Sequence, residues 1–194
     1  MSKKKNKKKQ AGTRKLREIF GDTKPRMTCV DCGHIEYNNP KTVVGAVVAS
    51  DDGRILLCRR AIEPRKGLWD IPEGYLEGHE TTEAGAIRET LEEAGATIET
   101  DAMLGIYEIP HANNIKIIFR ARMSSPNFTA GEESLEARLF EWDNIPWKDI
   151  AFHTVREALA DYKKTKDQKI FAPVHKIIPP QHSTVVRAPK NNKP

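Results

Sequence analysis

Two features are absent or scarce in this sequence, and each excludes a class of protein. No apolar run reaches the roughly 18 to 20 residues needed to cross a bilayer, and the lysine-rich start is not followed by the apolar segment of a secretory signal. Only three cysteines occur among 194 residues, which is too few for a disulfide scaffold and typical of a reducing compartment. We therefore expect an intracellular, cytoplasmic protein without a membrane partner.

Acidic residues are also absent before Glu18, a stretch that holds nine lysines and arginines. The chain has 32 Lys and Arg, 27 Asp and Glu and a formal net charge of +5; without those nine, 23 basic and 27 acidic residues remain, a balance of −4. A block of like charges cannot bury apolar surface, so residues 1–25 are predicted to be a basic disordered tail. The tail could contact a polyanion weakly or act only as a solubilising extension, and the sequence leaves both open.

The apolar pattern between the termini predicts strands and two helices. Runs of β-branched and apolar residues predict strands at 43–48, 55–57, 115–121 and 135–142, and Asp51-Asp52-Gly53 predicts a hairpin turn. One helix is predicted to start at Thr81 or Thr82 and end at Gly95; another is predicted over 154–163, from the helical spacing of its apolar residues. These elements predict an α+β protein, built as an α/β/α sandwich.

The segment GYLEGHETTEAGAIRETLEEAGA, residues 74–96, is the most informative one. Its glutamates 89, 92 and 93 occupy positions i, i+3 and i+4, so their carboxylates share one arc of about 100° on a helix. The apolar residues on the opposite side are Ala84, Ile87, Leu91 and Ala94. We expect this apolar side to pack on the core and the carboxylates to point outward. Oxygen ligands suit Mg²⁺ or Mn²⁺, but on periodicity alone a solvated acidic face is an equal alternative.

The spacing of the charged and glycine positions in this segment resembles the Nudix box, except that Thr90 and Ala96 stand where that family prefers larger apolar residues. The matching residues are Gly74, Glu80, Arg88, Glu89, Glu92, Glu93 and Gly95. A wider resemblance over residues 27–175 is to a Nudix subgroup of ADP-ribose and FAD pyrophosphatases. It implies a Nudix fold with a mixed central sheet and a short N-terminal knuckle. The implied segments are a zinc-knuckle-like segment (26–40), a Nudix hydrolase domain (41–172) and a Pro-rich basic C-terminal extension (173–194).

The resemblance also implies a divalent metal site, for Mg²⁺ or Mn²⁺. The expected ligands are the carbonyl of Gly74 and the carboxylates of Glu89, Glu92 and Glu93. Arg88 lies four residues before Glu92, and we expect it to orient that side chain.

The general base has two kinds of candidate. Glu92 is one, because it would lie beside a metal-bound water. Glu133 and Glu136 are the others, since Nudix relatives often bring an additional carboxylate into the site from this region. We expect Glu92 and Glu93 to be needed for turnover.

Glu73 is a departure from the resemblance, because relatives usually carry Gly or Ala at this position. An extra carboxylate beside Gly74 could join the metal site, but we expect it to face water.

Cys29 and Cys32 have the spacing of a zinc knuckle in the sequence C-x-x-C-G-H. A structural zinc site needs four ligands, and no second C-x-x-C pair occurs. The sequence therefore leaves open a Zn²⁺ site and a knuckle that has lost its metal.

The sequence as a whole predicts a Mg²⁺-dependent Nudix pyrophosphohydrolase, which cleaves the diphosphate of an ADP-ribose- or FAD-like nucleotide into two monophosphates. The expected partner is thus a dinucleotide-like small molecule, and a homodimer is compatible with the sequence. The aromatic residues that could stack on it, or belong to the core, are Trp69, Tyr75, Tyr107 and Phe119. Alternatives are a Nudix hydrolase of nucleoside triphosphates or capped RNA, and a non-catalytic Nudix-fold sensor or nucleic-acid-binding protein.

Overall fold

The computed structural model describes residues 12–180. The chain divides after Asn39 into two compact units. The elements are β1 (Arg14–Arg17), β2 (Arg26–Cys29), β3 (Ile35–Glu36), β4 (Lys41–Ala49), β5 (Ile55–Arg60), β6 (Trp69–Asp70), β7 (Glu73–Tyr75), α1 (Thr82–Ala94), β8 (Ile98–Ile109), β9 (Asn114–Met123), β10 (Ser134–Phe140), α2 (His153–Thr165) and β11 (Val174–Ile177), with short 3₁₀ turns at Pro110–Ala112, Trp142–Asn144 and Trp147–Asp149.

The first unit contains a small antiparallel sheet in the order β1-β2-β3. Strand β1 pairs along its whole length with β2, from Arg14 opposite Cys29 to Arg17 opposite Arg26. Residues 12–25, which the charge run predicts to be disordered, therefore include a strand, because backbone pairing and the Arg14–Glu36 ion pair at 2.7 Å give the basic residues partners. The lysines of residues 1–11 lie outside the described residues.

The second unit is built on an eight-stranded mixed sheet, with the order β10-β5-β4-β9-β8-β11 and with β6 and β7 pairing β5 and β4. The pairs β4–β9 and β8–β11 are parallel, whereas the other pairs are antiparallel. Residues 174–177 fall inside the predicted C-terminal extension, but they form strand β11 and belong to the main sheet. Among residues 12–180, no helix is both long and apolar enough to cross a membrane.

Strand β4 separates two hydrophobic cores. Val44, Ala46 and Val48 pack in one core with residues of α1, and Val47 and Ala49 pack in the other with residues of α2. Since successive residues of a strand point to opposite faces, the two helices cover opposite faces of the sheet. The predicted α/β/α sandwich with a mixed sheet is thus confirmed.

Helix α1 lies unusually close to β4 because its contact residues are small. A Cβ built on Gly85 would lie 2.8 Å from Cγ2 of Val44 and 2.9 Å from Oε1 of Glu80. Gly85 and Ala86 are both buried, so the helix approaches the sheet without large side chains between them.

We expect Gly85→Val to destabilise the protein by about 1–3 kcal/mol, the usual cost of overpacking a core, despite the better helix propensity of valine. Urea unfolding measures this change. Gly78→Val is the matched control, because nothing lies within 4 Å of a Cβ built there, and its change should stay within about 0.5 kcal/mol. Equal stabilities for the two variants would contradict the close contact of α1 with β4.

Candidate active site

The two ends of α1 are set by the residues that the sequence predicts. Thr81 is the N-cap, and its hydroxyl accepts a hydrogen bond from the N–H of Ala84 at 3.1 Å. Gly95 ends the helix in the left-handed conformation, with φ of 56°, and its N–H donates to the carbonyl of Leu91 at 2.9 Å. Thr90 and Ala96, the two departures from the box, are fully buried.

The face that α1 turns inward is only partly the predicted one, since Ala94 is buried and Ile87 packs against the same core. Glu89 and Glu93 are buried, whereas Ala84 and Leu91 are exposed, Leu91 by 55%. The reason is steric: the inward arc also carries Gly85, Ala86, Thr90 and Ala94, whose small side chains fit against the sheet. Two of the three carboxylates therefore point into the protein, and only Glu92 lies at the surface.

Arg88 connects the carboxylates around it. Its guanidinium donates to both carboxylate oxygens of Glu80 at 2.7 and 3.0 Å, to Oε1 of Glu89 at 2.7 Å and to Oε2 of Glu92 at 3.0 Å. It also donates to the carbonyl of Tyr75 at 3.1 Å. The hydrogen bonds from Arg88 lower the pKa of Glu80 to about 2. Arg88 thus contacts Glu92, the side chain that it is predicted to orient, and it also binds Glu89, Glu80 and the backbone of β7.

Gly74 lies directly against Glu89. A Cβ built on Gly74 would overlap the carboxylate of Glu89, so the absence of a side chain at this position of β7 leaves room for that carboxylate where it lies. The N–H of the preceding residue, Glu73, donates to Oε2 of Glu93 at 3.2 Å. The backbone of residues 73–74 therefore lies beside both buried carboxylates.

Burial makes the negative charge of these two side chains costly. It raises the pKa of Glu93 to about 9, with further contributions from the nearby charges of Asp70, Glu73 and Glu89. Burial also raises the pKa of Glu89, although Arg88 opposes this shift.

Glu73 does not face water, and this expectation is wrong. The residue is 8% exposed, and one of its carboxylate oxygens forms an ion pair with Nζ of Lys116. The other oxygen, Oε2, is buried and has no hydrogen-bond partner within the described residues 12–180. Asp70 is buried close to this pair, and its Oδ2 accepts a hydrogen bond from Arg60 at 3.0 Å; burial and the charge of Glu73 raise the pKa of Asp70 to about 8.

Apart from Asp70, these side chains border a cavity of about 1060 Å³. Its acidic lining includes Glu73, Glu89, Glu92, Glu93 and Glu133, together with the backbone of Gly74. Its basic and aromatic lining includes Arg60, Arg65, Arg88, His111, Lys116, Tyr75 and Phe152. The sequence did not single out Arg60, Lys116 or Phe152, which come from three separate elements or loops and share no motif.

The two candidate bases from the GEESLEARLF segment are separated by the structure. Glu133 is exposed and lines the cavity, and its charge contributes to the raised pKa of Glu89. Glu136 lies within β10, where its carboxylate forms an ion pair with Arg138, two residues along the same strand face. The structure therefore brings Glu133, and not Glu136, to the cavity.

Comparison with known proteins identifies this arrangement. The family model described as NUDIX domain matches residues 39–164, which is more than half of the chain. The chain belongs to the Nudix family. An ADP-ribose pyrophosphatase of Methanocaldococcus jannaschii is 30% identical over 135 residues, which cover 68% of this chain and 78% of that protein. A MutT-like protein of Streptomyces ambofaciens is 32% identical over 113 residues, covering 58% of this chain and 71% of that protein.

A solved structure supports the same assignment. The crystal structure of a NUDIX hydrolase from Nitrosomonas europaea superimposes with a TM-score of 0.78 at 41% sequence identity, covering 86% of this chain and 94% of that one. The protein is thus a Nudix hydrolase, and the buried carboxylates lie on the helix of its Nudix box.

The donor set of this Nudix box fits a hard divalent cation, since Gly74, Glu89, Glu92 and Glu93 offer only oxygen. The raised pKa of Glu93 shows that a negative charge on this side chain is unfavourable. A bound cation would relieve that cost. Within residues 12–180, no three His, Cys, Asp or Glu side chains lie close enough together to form a metal site. Arg88 donates a hydrogen bond to one carboxylate oxygen of Glu89 and to one of Glu92.

The knuckle-like segment lacks a third ligand in the described part of the chain. Cys29 and Cys32 are free cysteines, and a turn brings the N–H of Gly33 to the carbonyl of Cys29 at 3.0 Å. Among residues 12–180, these two cysteines do not converge with a third His, Cys, Asp or Glu side chain. Of the two alternatives that the sequence leaves open, a Zn²⁺ site and a knuckle that has lost its metal, the described residues therefore give no support to the first.

Of the four aromatic residues, only Tyr75 lines the cavity. Tyr107, Phe119 and Trp69 are buried in the two cores, where Trp69 packs edge-on against Phe140 at 4.8 Å and the hydroxyl of Tyr107 donates to Asp161 at 3.2 Å.

The raised pKa of Glu93 predicts how stability depends on pH. Between its ordinary value of 4.5 and about 9, the native state binds a proton that the unfolded state releases, so stability falls as pH rises through this range. In buffer without divalent cations we expect Glu93→Gln to raise the Tm by about 2–4 °C at pH 8 and to leave it unchanged at pH 4. Thermal unfolding followed by circular dichroism measures this.

The control is Glu92→Gln, because the Glu92 side chain is 58% exposed; its Tm should follow wild type at both pH values. If Glu93→Gln is less stable than wild type at pH 8, the negative charge of Glu93 does not destabilise the folded protein and the prediction is wrong.

Proposed function

We propose that the protein is a Mg²⁺- or Mn²⁺-dependent pyrophosphohydrolase that splits an ADP-ribose- or FAD-like nucleotide into two monophosphates. The observation that carries this proposal is the burial of Glu89 and Glu93 beside the backbone of Gly74, at the border of a large cavity that also has basic residues. The similarity to the Methanocaldococcus jannaschii ADP-ribose pyrophosphatase supports the substrate class.

The ion would be held by the carbonyl of Gly74 and the carboxylates of Glu89, Glu92 and Glu93. When bound, it would neutralise phosphate charge and acidify a water molecule.

The remaining work falls to protein side chains around the cavity. Arg60 and Arg65 line it and supply positive charge to the diphosphate, which stabilises the negative charge that develops as the P–O bond breaks. Tyr75 is 54% exposed, and its ring, with that of Phe152, offers an apolar surface for a base or flavin. Arg88 keeps Glu89 and Glu92 in place through its hydrogen bonds.

Glu133 is the general base in this proposal. It lines the cavity near Glu89 and can accept the proton that the attacking water loses when its oxygen bonds to phosphorus.

A substrate panel tests the function. We expect purified protein with Mg²⁺ or Mn²⁺ to convert ADP-ribose or FAD faster than NADH, diadenosine polyphosphates, dGTP or capped RNA, as measured by chromatography of the products.

Glu89→Gln and Glu93→Gln should each lower kcat by at least about 10²-fold. Glu83→Gln, an exposed carboxylate on the same helix, should retain wild-type turnover. Preference for dGTP or capped RNA would contradict the substrate class, and undiminished turnover of both helix variants would contradict the site.

A second comparison tests the general base. Glu133→Gln should lower kcat by about 10²-fold or more and flatten the acidic limb of the pH–kcat profile. Glu136→Gln, which the structure places in β10 beside Arg138, should keep a wild-type profile. The reverse result would restore Glu136 as the base.

A further inference from the structure

The extra carboxylate at position 73 has a dedicated partner in Lys116. Glu73 and Lys116 are 8% and 6% exposed, and Nζ of Lys116 forms an ion pair with Oε1 of Glu73. A buried charge is strongly destabilising unless it is paired with an opposite charge. Glu73 and Lys116 therefore depend on each other to be buried at this place.

The register of the sheet shows which side of it the pair occupies. On β4, Gly45 lies opposite Glu73 of β7, and Val43 lies opposite Lys116 of β9. Residues that lie opposite each other on neighbouring strands point to the same face of the sheet, and so do residues two apart on one strand. Glu73 and Lys116 therefore project from the same face of the sheet, one on each side of β4. Val44, the residue between Val43 and Gly45, packs with α1. The ion pair thus lies on the face opposite α1.

Gly45 and Phe152 shape the space for this pair. A Cβ built on Gly45 would lie 2.5 Å from Cβ of Glu73 and 2.6 Å from the carbonyl oxygen of Pro72, so only glycine lets Glu73 occupy this face. Nζ of Lys116 lies 4.9 Å from the centre of the Phe152 ring, and such a contact stabilises a cation. The same ring contacts the guanidinium of Arg60 at 5.2 Å, which in turn pairs with Asp70.

Glu73 is joined to the cation site through its backbone, because it directly precedes Gly74 and its N–H donates to Oε2 of Glu93 at 3.2 Å. Among residues 12–180, Oε2 of Glu73 has no hydrogen-bond partner and Oε1 is paired with Lys116, so Lys116 is the group that compensates the Glu73 carboxylate. We propose that Lys116 is a positioning residue for the divalent cation site: its ammonium holds and neutralises Glu73 on the sheet face opposite α1, so that the helix carboxylates alone set the charge felt by the cation. This inference rests on the proposed function of those carboxylates.

Titration with Mn²⁺ alone tests the inference, with binding followed by electron paramagnetic resonance of free Mn²⁺ at pH 8. Lys116→Met leaves the Glu73 carboxyl without its ammonium partner, so that the cation becomes its nearest counter-charge, and should tighten Mn²⁺ binding by at least about 5-fold. Glu73→Ala leaves the Lys116 ammonium without a carboxylate and should weaken Mn²⁺ binding by a similar factor. The double variant restores neutrality, and its Kd should lie within about 2-fold of wild type.

Opposite shifts separate this role from a merely structural one, because loss of a structural ion pair would weaken Mn²⁺ binding in both single variants. Arg120→Met is the matched control: Arg120 is also a buried cation of β9, paired with Asp101 at 2.8 Å, and its loss should leave the Mn²⁺ Kd unchanged. If Lys116→Met or Glu73→Ala does not fold, Lys116→Gln and Glu73→Gln make the same charge changes with little change in volume.

The possible results separate the two proposals. Mn²⁺ binding by wild type with opposite shifts in the single variants and recovery in the double variant supports the inference. Binding by wild type with unchanged or same-direction shifts overturns the inference alone. No binding by wild type overturns the proposed function and the inference with it.

Discussion

Two carboxylates of one helix, those of Glu89 and Glu93, are buried against strand β7 at Gly74, and most of the structure around them follows from this placement. The helix must approach the sheet closely, which requires Gly85 and Ala86 at the contact. Strand β7 must come within contact distance of Glu89, and the missing side chain of Gly74 leaves room for the Glu89 carboxylate. The negative charge of the helix carboxylates must be compensated. Arg88 does this for Glu89 and Glu92, and a divalent cation is proposed to do so for the whole group.

This arrangement links stability to function. Buried like charges destabilise the folded state unless they are paired, and the raised pKa of Glu93 is the sign of that cost. Active sites commonly retain such unfavourable groups because the chemistry needs them. Here a bound cation would convert the same charges from a cost into ligands. Lys116 and Glu73 extend the principle, since an additional carboxylate near the site comes with its own buried ammonium.

The sequence predicts the helix, its caps and the mixed sandwich well, because turn residues, glycines and charged residues at fixed spacing carry strong local signals. It predicts the inward face of α1 only in part: Ala94 and Ile87 pack on the core, but Leu91 is exposed. The other packing residues, Gly85, Ala86 and Thr90, are small or polar and give little hydrophobic signal. Strand β8 was not predicted; only Ile98 is buried in its first half, which is interrupted by bulges near Thr100 and Met103.

The partners of the site are harder to predict than its motif. Lys116 is a single lysine within an apolar strand, and its significance depends on the pairing of β7 and β9 with β4. Glu133 and Glu136 look equivalent in sequence, and only the start of β10 between them decides which one reaches the cavity. Both depend on contacts between distant parts of the chain, which local patterns do not encode.

The central claim is that the carboxylates beside Gly74 bind a divalent cation that engages the diphosphate of a nucleotide. The most direct measurement is a crystal structure with Mn²⁺ and a non-hydrolysable ADP-ribose analogue, read from the anomalous scattering of manganese. We predict an anomalous peak about 2.1–2.3 Å from the carbonyl of Gly74 and from oxygens of Glu89 and Glu93, in contact with the diphosphate. Manganese bound elsewhere, with the diphosphate remote from Glu89 and Glu93, would contradict the account.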